Sequence, residues 1–445
     1  MPPLLPNVKH KLRVVRYLLL CRYREARSGK TKVMSVIPLP LPIRSVAAGN
    51  GSAVFSQAAD LFQLLRDGEP RTRAELAAIT GLARSTIAAR VETLLAADLI
   101  SPVGEAASSG GRPPSRIAFN PAARVVIAAD IGASHGVVAL TDLAGTVLAS
   151  TTADLSIADG PETVLAWVAA TAGKLLADTA GGAPDVAGIG IGLPGPVEHT
   201  TGRPTNPPIM PGWDGFDVPG FLQRSFLVPV LVDNDVNIMA LGEQSTQWPG
   251  DDNLLFVKVA TGIGAGIIGG GQLQRGAVGA AGDLGHVRVP NADHVICRCG
   301  NTGCLEALVG GPALAAQMRE LGFEARSVRD VVALARGGNG TAIAAVRQAG
   351  RDIGTVLATC VNLLNPSTIV IGGALAESGE HLLAGIREVV YQRSLPLSTA
   401  RLRIVASRAM ESAGILGAAM MVVQHVLGAA MIEATLAQAT ASAQH

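Results

Sequence analysis

Val125-Val126-Ile127-Ala128-Ala129-Asp130-Ile131-Gly132 is an almost unbroken apolar run closed by a glycine. A run this short, rich in β-branched residues and bounded by a turn signal, predicts a strand covered on both faces. Residues 136–140 begin a return strand, and Asp142-Leu143-Ala144-Gly145 is the turn after it. A helix over 162–177 and another strand over 186–191 continue the pattern, and strands alternating with helices in this way predict an α/β fold. Gly190-Ile191-Gly192-Leu193-Pro194-Gly195-Pro196 then carries the second strand into a Gly/Pro turn.

The chain around this region is 445 residues long, roughly three typical domain lengths, so one compact domain is not expected. Hydrophobic residues make up 48%, but much of that is Ala scattered among Gly. The most apolar C-terminal stretch, 416–432, is broken by Gln424 and His425, short of the ~20 uninterrupted residues a membrane span needs. Disordered and fibrous classes are excluded by the same apolar fraction and by the lack of a strict repeat. Net charge is +1, so any contact with nucleic acid must come from a local patch.

Charge is therefore read by segment. Residues 1–50 form a basic, Pro-rich extension in which Glu25 is the single acid before residue 45. It reads as a disordered arm, or as sequence ahead of the native start, because Met34 opens a segment whose composition matches the residues after it. Its apolar stretch, 17–21, is shorter than the core of a secretory signal. Ser28-Gly29-Lys30-Thr31 has neither the upstream Gly nor the strand that a phosphate loop requires.

Residues 51–120 change to short amphipathic helices. Leu61, Leu64 and Leu65 mark the first, and Thr72-Arg73-Ala74-Glu75 is a capping box that starts the second near Arg73. Gly81 ends it, since glycine takes the left-handed turn conformation cheaply. A third helix over 84–97 places Ile87, Val91 and Leu94 at core spacing and turns Arg84, Ser85, Ala88 and Ala89 outward. Helix, glycine turn and helix is the helix-turn-helix arrangement. Two short strands around Ser108-Ser109-Gly110-Gly111-Arg112-Pro113-Pro114 would add a wing, giving an α+β winged helix-turn-helix domain. In it Arg84 and Ser85 are placed to contact bases, Ala88 and Ala89 to permit close approach in the major groove, and Arg112 to enter the minor groove. Arg71, Arg73 and Arg90 are expected on phosphates.

Five cysteines in so long a chain do not form a disulfide framework, and Cys297, Cys299 and Cys304 fall in one short run. Three soft thiolates in a glycine-rich loop call for one further ligand to close a tetrahedral structural zinc site in a reducing, cytoplasmic compartment. His286 and His294 compete for that place, and local spacing alone favours His294.

Residues 121–445 carry a series of motifs that resembles the ROK family of repressors, open reading frames and sugar kinases. The matches are residues 190–196, Val232-Asp233-Asn234-Asp235-Val236-Asn237, Thr261-Gly262-Ile263-Gly264-Ala265-Gly266, Ala281-Gly282-Asp283-Leu284-Gly285-His286, the cysteine run through Leu305-Glu306, and Asn365-Pro366 through Gly373. The resemblance implies a two-lobed, actin-like, ribonuclease-H-like domain with a sugar cleft between the lobes. It favours His286 as the fourth zinc ligand. It also implies that Asp235 matches the kinases' catalytic base and that Asn234, Glu306 and His286 match residues binding sugar hydroxyls. Asp283 stands where the kinases have Glu, one methylene longer. Asn206 and Trp213, in a Pro-rich loop, are further candidates for the sugar wall.

ATP chemistry needs a glycine loop that lets phosphates approach closely. ROK kinases carry Asp-x-Gly-Gly-Thr there, whereas this chain has Asp130-Ile131-Gly132-Ala133-Ser134-His135, and Ala260 replaces a usual Gly in the second loop. The expectation is therefore a sugar-responsive repressor without enzymatic turnover, binding a double-stranded operator as a homodimer or dimer of dimers. The alternative is an ATP-dependent sugar kinase with an accessory DNA-binding domain.

Overall fold

A computed structural model describes residues 57–105, 114–179, 184–290 and 292–442. The basic extension, Met34 and the loop tip with Arg112 lie outside the described residues.

The first unit is built from α1 (Ala58–Leu65), β1 (Arg71–Thr72), α2 (Arg73–Thr80), α3 (Arg84–Ala96), β2 (Ile100–Glu105) and β3 (Ser115–Phe119). The Thr72 hydroxyl accepts from the Glu75 amide at 3.2 Å, and Glu75 accepts from the Thr72 amide at 2.7 Å, so both ends of the capping box are closed. Gly81 follows α2 with φ +72°, where a side chain would be strained. Strands β2 and β3 pair antiparallel as the wing pattern requires, and β1 adds a third strand on β3 that local sequence signals do not announce. Leu61, Phe62, Leu65, Leu76, Ile87, Val91 and Leu94 are fully buried between these elements.

Beyond this unit lie two sheets of one plan. The first contains β4 (Val125–Ile131), β5 (His135–Asp142), β6 (Val147–Asp154), β7 (Val186–Leu193) and β10 (Val230–Asn234), in the order β10-β7-β4-β5-β6. Strand β4 is apolar almost throughout because it lies at the centre, with parallel β7 on one side and antiparallel β5 on the other. Edge strand β6 instead exposes Ser150, Thr151 and Thr152, polar residues that suit an edge. Helix α4 (Pro161–Ala177), the small ribbon of β8 (Val197–Glu198) and β9 (Arg203–Pro204), and α5 (Val218–Leu222) complete this lobe.

The second sheet repeats the plan with β11 (Asn253–Val259), β12 (Ile263–Gly269), β13 (Gln272–Leu273), β14 (Thr368–Gly372) and β15 (Arg403–Ala406), in the order β13-β12-β11-β14-β15. In each sheet an antiparallel meander is extended by parallel strands on the side of its first strand. Helices α7 (Leu305–Val309), α8 (Gly311–Glu320), α9 (Val328–Arg336), α10 (Gly340–Leu364), α11 (Glu380–Arg393) and α12 (Pro396–Thr399) belong to this half.

The lobes are joined by an exchange of helices. Helix α6 (Asp235–Gln247) leaves the first sheet and packs on β11 and β12 of the second, while α13 (Ala413–Val426) leaves the second and packs on β4 and β7 of the first. They cross at glycines: a Cβ on Gly417 would stand 1.6 Å from the Ile238 carbonyl oxygen, and one on Gly242 would stand 2.1 Å from that of Ala413. Only backbone on backbone fits there. Helix α14 (Ala429–Ser442) then returns to α1. The apolar core of the first unit runs without a break into Val126, Ala128, Met420, Val423, Leu427, Ile432 and Leu436. Residues 416–432, the most apolar stretch, are thus an interior helix and the start of the next, and among the described residues no single helix is long and apolar enough to cross a membrane.

Candidate functional site

Strand β10 ends on Asn234 and α6 begins on Asp235, so the backbone turns from sheet to helix beside the first sheet's glycine turns. Asn234 makes that junction: its Oδ1 accepts from the Val236 amide at 2.9 Å and its Nδ2 donates to the Gly195 carbonyl at 3.0 Å. The amide caps a helix, which leaves one hydrogen and one lone pair for a ligand. Buried Asp233 accepts from Asn237 Nδ2 at 2.7 Å and pairs with Arg275 Nε at 2.6 Å, which ties the loop after β13 to this junction.

Asp235 is buried, and its Oδ2 lies 2.5 Å from Lys258 Nζ on β11 of the opposite sheet. Lys258 is not among the residues that the sequence motifs single out, although it is the one charged residue in Leu254-Leu255-Phe256-Val257-Lys258-Val259. Burial alone would lower its pKa, but the Asp235 carboxylate and, more weakly, Asp130 raise it instead. Asp130 at the end of β4 is pushed up to about 6 by burial, against the pull of Lys258 and with a further push from Asp235.

The turn after β4 closes with the Gly132 amide donating to the His135 carbonyl at 2.9 Å. The His135 ring lies over this glycine, so that a Cβ on Gly132 would be 2.3 Å from His135 Cε1. On the other lobe, the Ile263 amide donates to Glu306 Oε2 at 2.9 Å, so the carboxylate of α7 grips the loop Thr261 to Gly266. Glu306 rises directly after the cysteine run, and its position depends on that loop.

His286, Cys297 and Cys299 present ligand atoms within 4.8 Å of one another, and Cys304 Sγ is 3.7 Å from Cys299 Sγ. His294 is exposed and outside the group. His286 Nδ1 is 2.8 Å from Asp283 Oδ1, the arrangement in which a carboxylate orients a ligating imidazole and leaves Nε2 for the ion. Burial opposes protonation of this ring, but the Asp283 carboxylate raises its pKa. A backbone hydrogen bond from Asn301 lowers the pKa of the Cys299 thiol, while burial pushes that of Cys304 up to about 12. A bound cation is what such a thiol needs in order to lose its proton.

The Pro-rich loop does not behave as expected. Trp213 is completely buried, donates Nε1 to the Ile157 carbonyl at 3.0 Å and packs on Phe216, so it is a core residue and no sugar wall. An indole with its one donor satisfied inside a lobe has nothing left to offer a ligand. Asn206 is exposed, holds a left-handed φ of +43° and donates its backbone amide to Asp214 Oδ1 at 2.7 Å.

In the first unit Arg84, Ser85 and Ala89 are exposed along α3, with Ala88 and Arg90 half-buried beside them. Two other arginines are committed within the unit. Arg71 pairs with Asp67 and donates to the Leu64 carbonyl at 2.8 Å, and Arg73 pairs with Glu92 at 2.6 Å. Either would have to exchange its carboxylate partner for a phosphate to contact DNA, an exchange that costs little for the exposed Arg73–Glu92 pair.

The sequence pattern described as ROK family matches residues 126–425, more than half of the chain. This chain belongs to the ROK family. The xylose repressor of Caldicellulosiruptor bescii is 28% identical over 381 residues, covering 82% of this chain and 95% of the repressor. The crystal structure of a ROK family transcriptional regulator, described as a homologue of the E. coli MLC protein, superposes with TM-score 0.74 at 27% identity, over 86% of this chain and 98% of its own. A ROK family glucokinase from Streptomyces griseus, solved with glucose and AMPPNP, superposes with TM-score 0.58 at 26% identity, over 67% of this chain and 98% of its own. The α/β, two-lobed, actin-like architecture of the ROK fold is thereby shown for this chain.

Proposed function

We propose that this chain is a sugar-responsive transcriptional repressor, in which residues 51–120 are the winged helix-turn-helix that reads a DNA operator and residues 121–445 bind the effector. The observation that carries it is coverage. The regulator structure extends over more of this chain than the part from residue 126 onward contains, whereas the glucokinase accounts for about the share the family pattern occupies. We read the difference as the helix and hairpin unit, whose α3 carries Arg84, Ser85, Ala88, Ala89 and Arg90; Arg112 of the wing is assigned to DNA from the sequence alone, since its loop lies outside the described residues.

In the cleft, Asp235, Glu306, Asn234 and Asn206 are the groups we assign to sugar hydroxyls. Their carboxylates and amides can accept from several hydroxyls at once. His286 and Asp283 serve better as a metal ligand and its orienting partner, because Nδ1 is engaged by Asp283 and the ring stands within ligand distance of Cys297 and Cys299. The donor set of His286, Cys297, Cys299 and Cys304 fits a structural zinc ion. When bound, zinc would hold the loop that ends in Glu306 and supply no reactive water. Thiolate ligands of this kind suit the reducing cytoplasm.

The second reading, a sugar kinase, has Asp235 and the loop Thr261 to Gly266 in its favour. We count against it the His135 ring over Gly132, the turn that the family resemblance links to phosphate, and the ammonium already paired with Asp235. The deciding experiment is a panel of pentoses, hexoses and their derivatives screened by thermal shift, then by operator binding, with Asp235→Ala as control. No sugar-dependent change in DNA affinity would sink the repressor reading. ATP turnover with any sugar on the order of 1 s⁻¹ or more would promote the kinase.

A further inference from the structure

Asn234 stands between two carboxylates in the chain, and a cation from the second half answers each of them. Asp233, at the end of β10, is buried and pairs at 2.6 Å with Nε of Arg275, in the loop that leads from β13 to Asp283 and His286. Asp235, the first residue of α6, is buried as well and pairs at 2.5 Å with Nζ of Lys258 on β11. Withdrawing either cation would leave a carboxylate buried and unpaired, so each pair is held as a neutral unit. The two cations that reach this junction thus serve the chain's own acids. Arg329, an exposed residue of α9, bears on the His135 ring and not on Lys258.

Anions are otherwise received by backbone amides at helix starts and glycine turns. Here those amides are engaged. At the start of α6 the Val236 amide donates to Asn234 Oδ1 at 2.9 Å, and at the start of α7 the Leu305 and Glu306 amides donate to the carbonyls of Val287 and Gly285 at 3.0 and 2.9 Å. In the two glycine loops the Gly132 amide donates to the His135 carbonyl and the Ile263 amide to Glu306 Oε2, each at 2.9 Å. The Glu306 carboxylate adds a negative charge of its own.

We propose that the effector of this cleft is an uncharged sugar and that its phosphate ester is refused, because Arg275 and Lys258 are held by Asp233 and Asp235 and the neighbouring amides by the chain itself. The inference rests on the sugar reading of the cleft given above and names the class of ligand within it. A hydroxyl needs only a lone pair or a single hydrogen, and Asn234 keeps one of each while Asp235 Oδ1 has no donor among the described residues. A phosphate ester brings a charge of about −1.5 to −2, which needs cations or open amides to replace its water. Phosphoryl transfer to the free sugar would therefore end the signal. The response reports sugar that a kinase reaction has yet to consume.

The probes are matched pairs, xylose and xylose 5-phosphate, glucose and glucose 6-phosphate, N-acetylglucosamine and its 6-phosphate, each titrated by calorimetry into the full-length protein. In at least one pair the free sugar should bind, about tenfold or more tighter than its ester. An ester that binds as tightly as its free sugar, or more tightly, overturns the inference. Asp233→Asn releases Arg275, whose guanidinium cannot lose its proton, and should raise the affinity for the ester about tenfold or more. An ion pair with a merely structural role would weaken both members of a pair and gain nothing for the ester. Asp235→Asn releases Lys258 and makes the same test if Asp233→Asn does not fold, which circular dichroism and a cooperative melt establish. A folded variant that gains no affinity for the ester overturns the inference too. Binding by neither member of any pair refutes the sugar reading of the cleft and this inference with it, whereas an ester that binds and alters operator affinity refutes the class of effector and leaves the repressor standing.

Discussion

Glu433 Oε1, on the last helix, accepts a hydrogen bond at 2.7 Å from the amide of Ala59, in the first turn of α1. The carboxylate caps a helix that lies 374 residues earlier in the chain. Beside it, Gln63 Nε2 donates to the Leu427 carbonyl at 2.8 Å. The first unit is thus fastened to the C-terminus of α13, whose body crosses α6, and α6 starts at Asp235. Loss of an N-terminal cap costs about 1 kcal/mol. Glu433→Ala should lower stability by about that much and weaken the sugar-induced change in operator affinity, while sugar affinity stays as in wild type. Calorimetry for the sugar and fluorescence anisotropy for DNA check it, and an undiminished sugar response would show that α14 is not the link.

The exposed face of α3 makes a separate prediction. Arg84→Ala should cost about 1–3 kcal/mol in binding to the specific operator, the worth of a bidentate base contact, and much less on random DNA. Binding curves on both DNAs at one salt concentration measure the difference, and equal losses would assign Arg84 to a phosphate.

For the metal site, purified protein should contain about one zinc per chain, and Cys299→Ser should reduce it well below that. Because the cysteine loop leads into Glu306, which holds the Ile263 amide, the same variant should also weaken the response to sugar. Elemental analysis and the thermal shift with sugar give the two readings. Protein that carries no zinc when purified without chelator would dismiss the assignment.

Asp130 predicts a pH dependence of stability. Its folded pKa of about 6 lies above the ordinary carboxyl value of 3.8, so its ionised form is penalised in the fold. That penalty is fully present above pH 6 and is relieved as pH falls from about 6 towards about 4, where the folded carboxyl binds a proton that the unfolded one does not. The groups facing it are Lys258 and Asp235. A shift of this size corresponds to up to about 3 kcal/mol. Asp130→Asn should therefore stabilise the protein at pH 7.5 and have little effect near pH 4. Urea unfolding of both proteins at the two pH values measures it, and a pH-independent difference would mean that Asp130 has no raised pKa.

Much of this molecule was legible because its signals are local. The capping box at Thr72, the glycine after α2 and the period of Ile87, Val91 and Leu94 specify the first unit from adjacent residues alone. Strand β4 stands out because a central strand covered on both faces has no polar alternation to hide it. The cysteine run pointed to a candidate metal group, and Cys297, Cys299 and His286 do bring ligand atoms within 4.8 Å of one another.

What sequence order could not reveal are relationships made by partners far apart in the chain. Trp213 is a candidate ligand wall in the sequence, and only packing around Ile157, 56 residues earlier, encloses it. Lys258 carries no motif in its apolar strand, and only the approach of the opposite lobe gives its charge a reason. Local propensity and spacing act within a few residues, so the sequence by itself determined the elements, the glycine turns and the choice of cysteines. Burial and charge pairing depend on which distant surfaces meet, so the tertiary structure alone decided that Asp235 shares its carboxylate with a lysine and that the last helix caps the first.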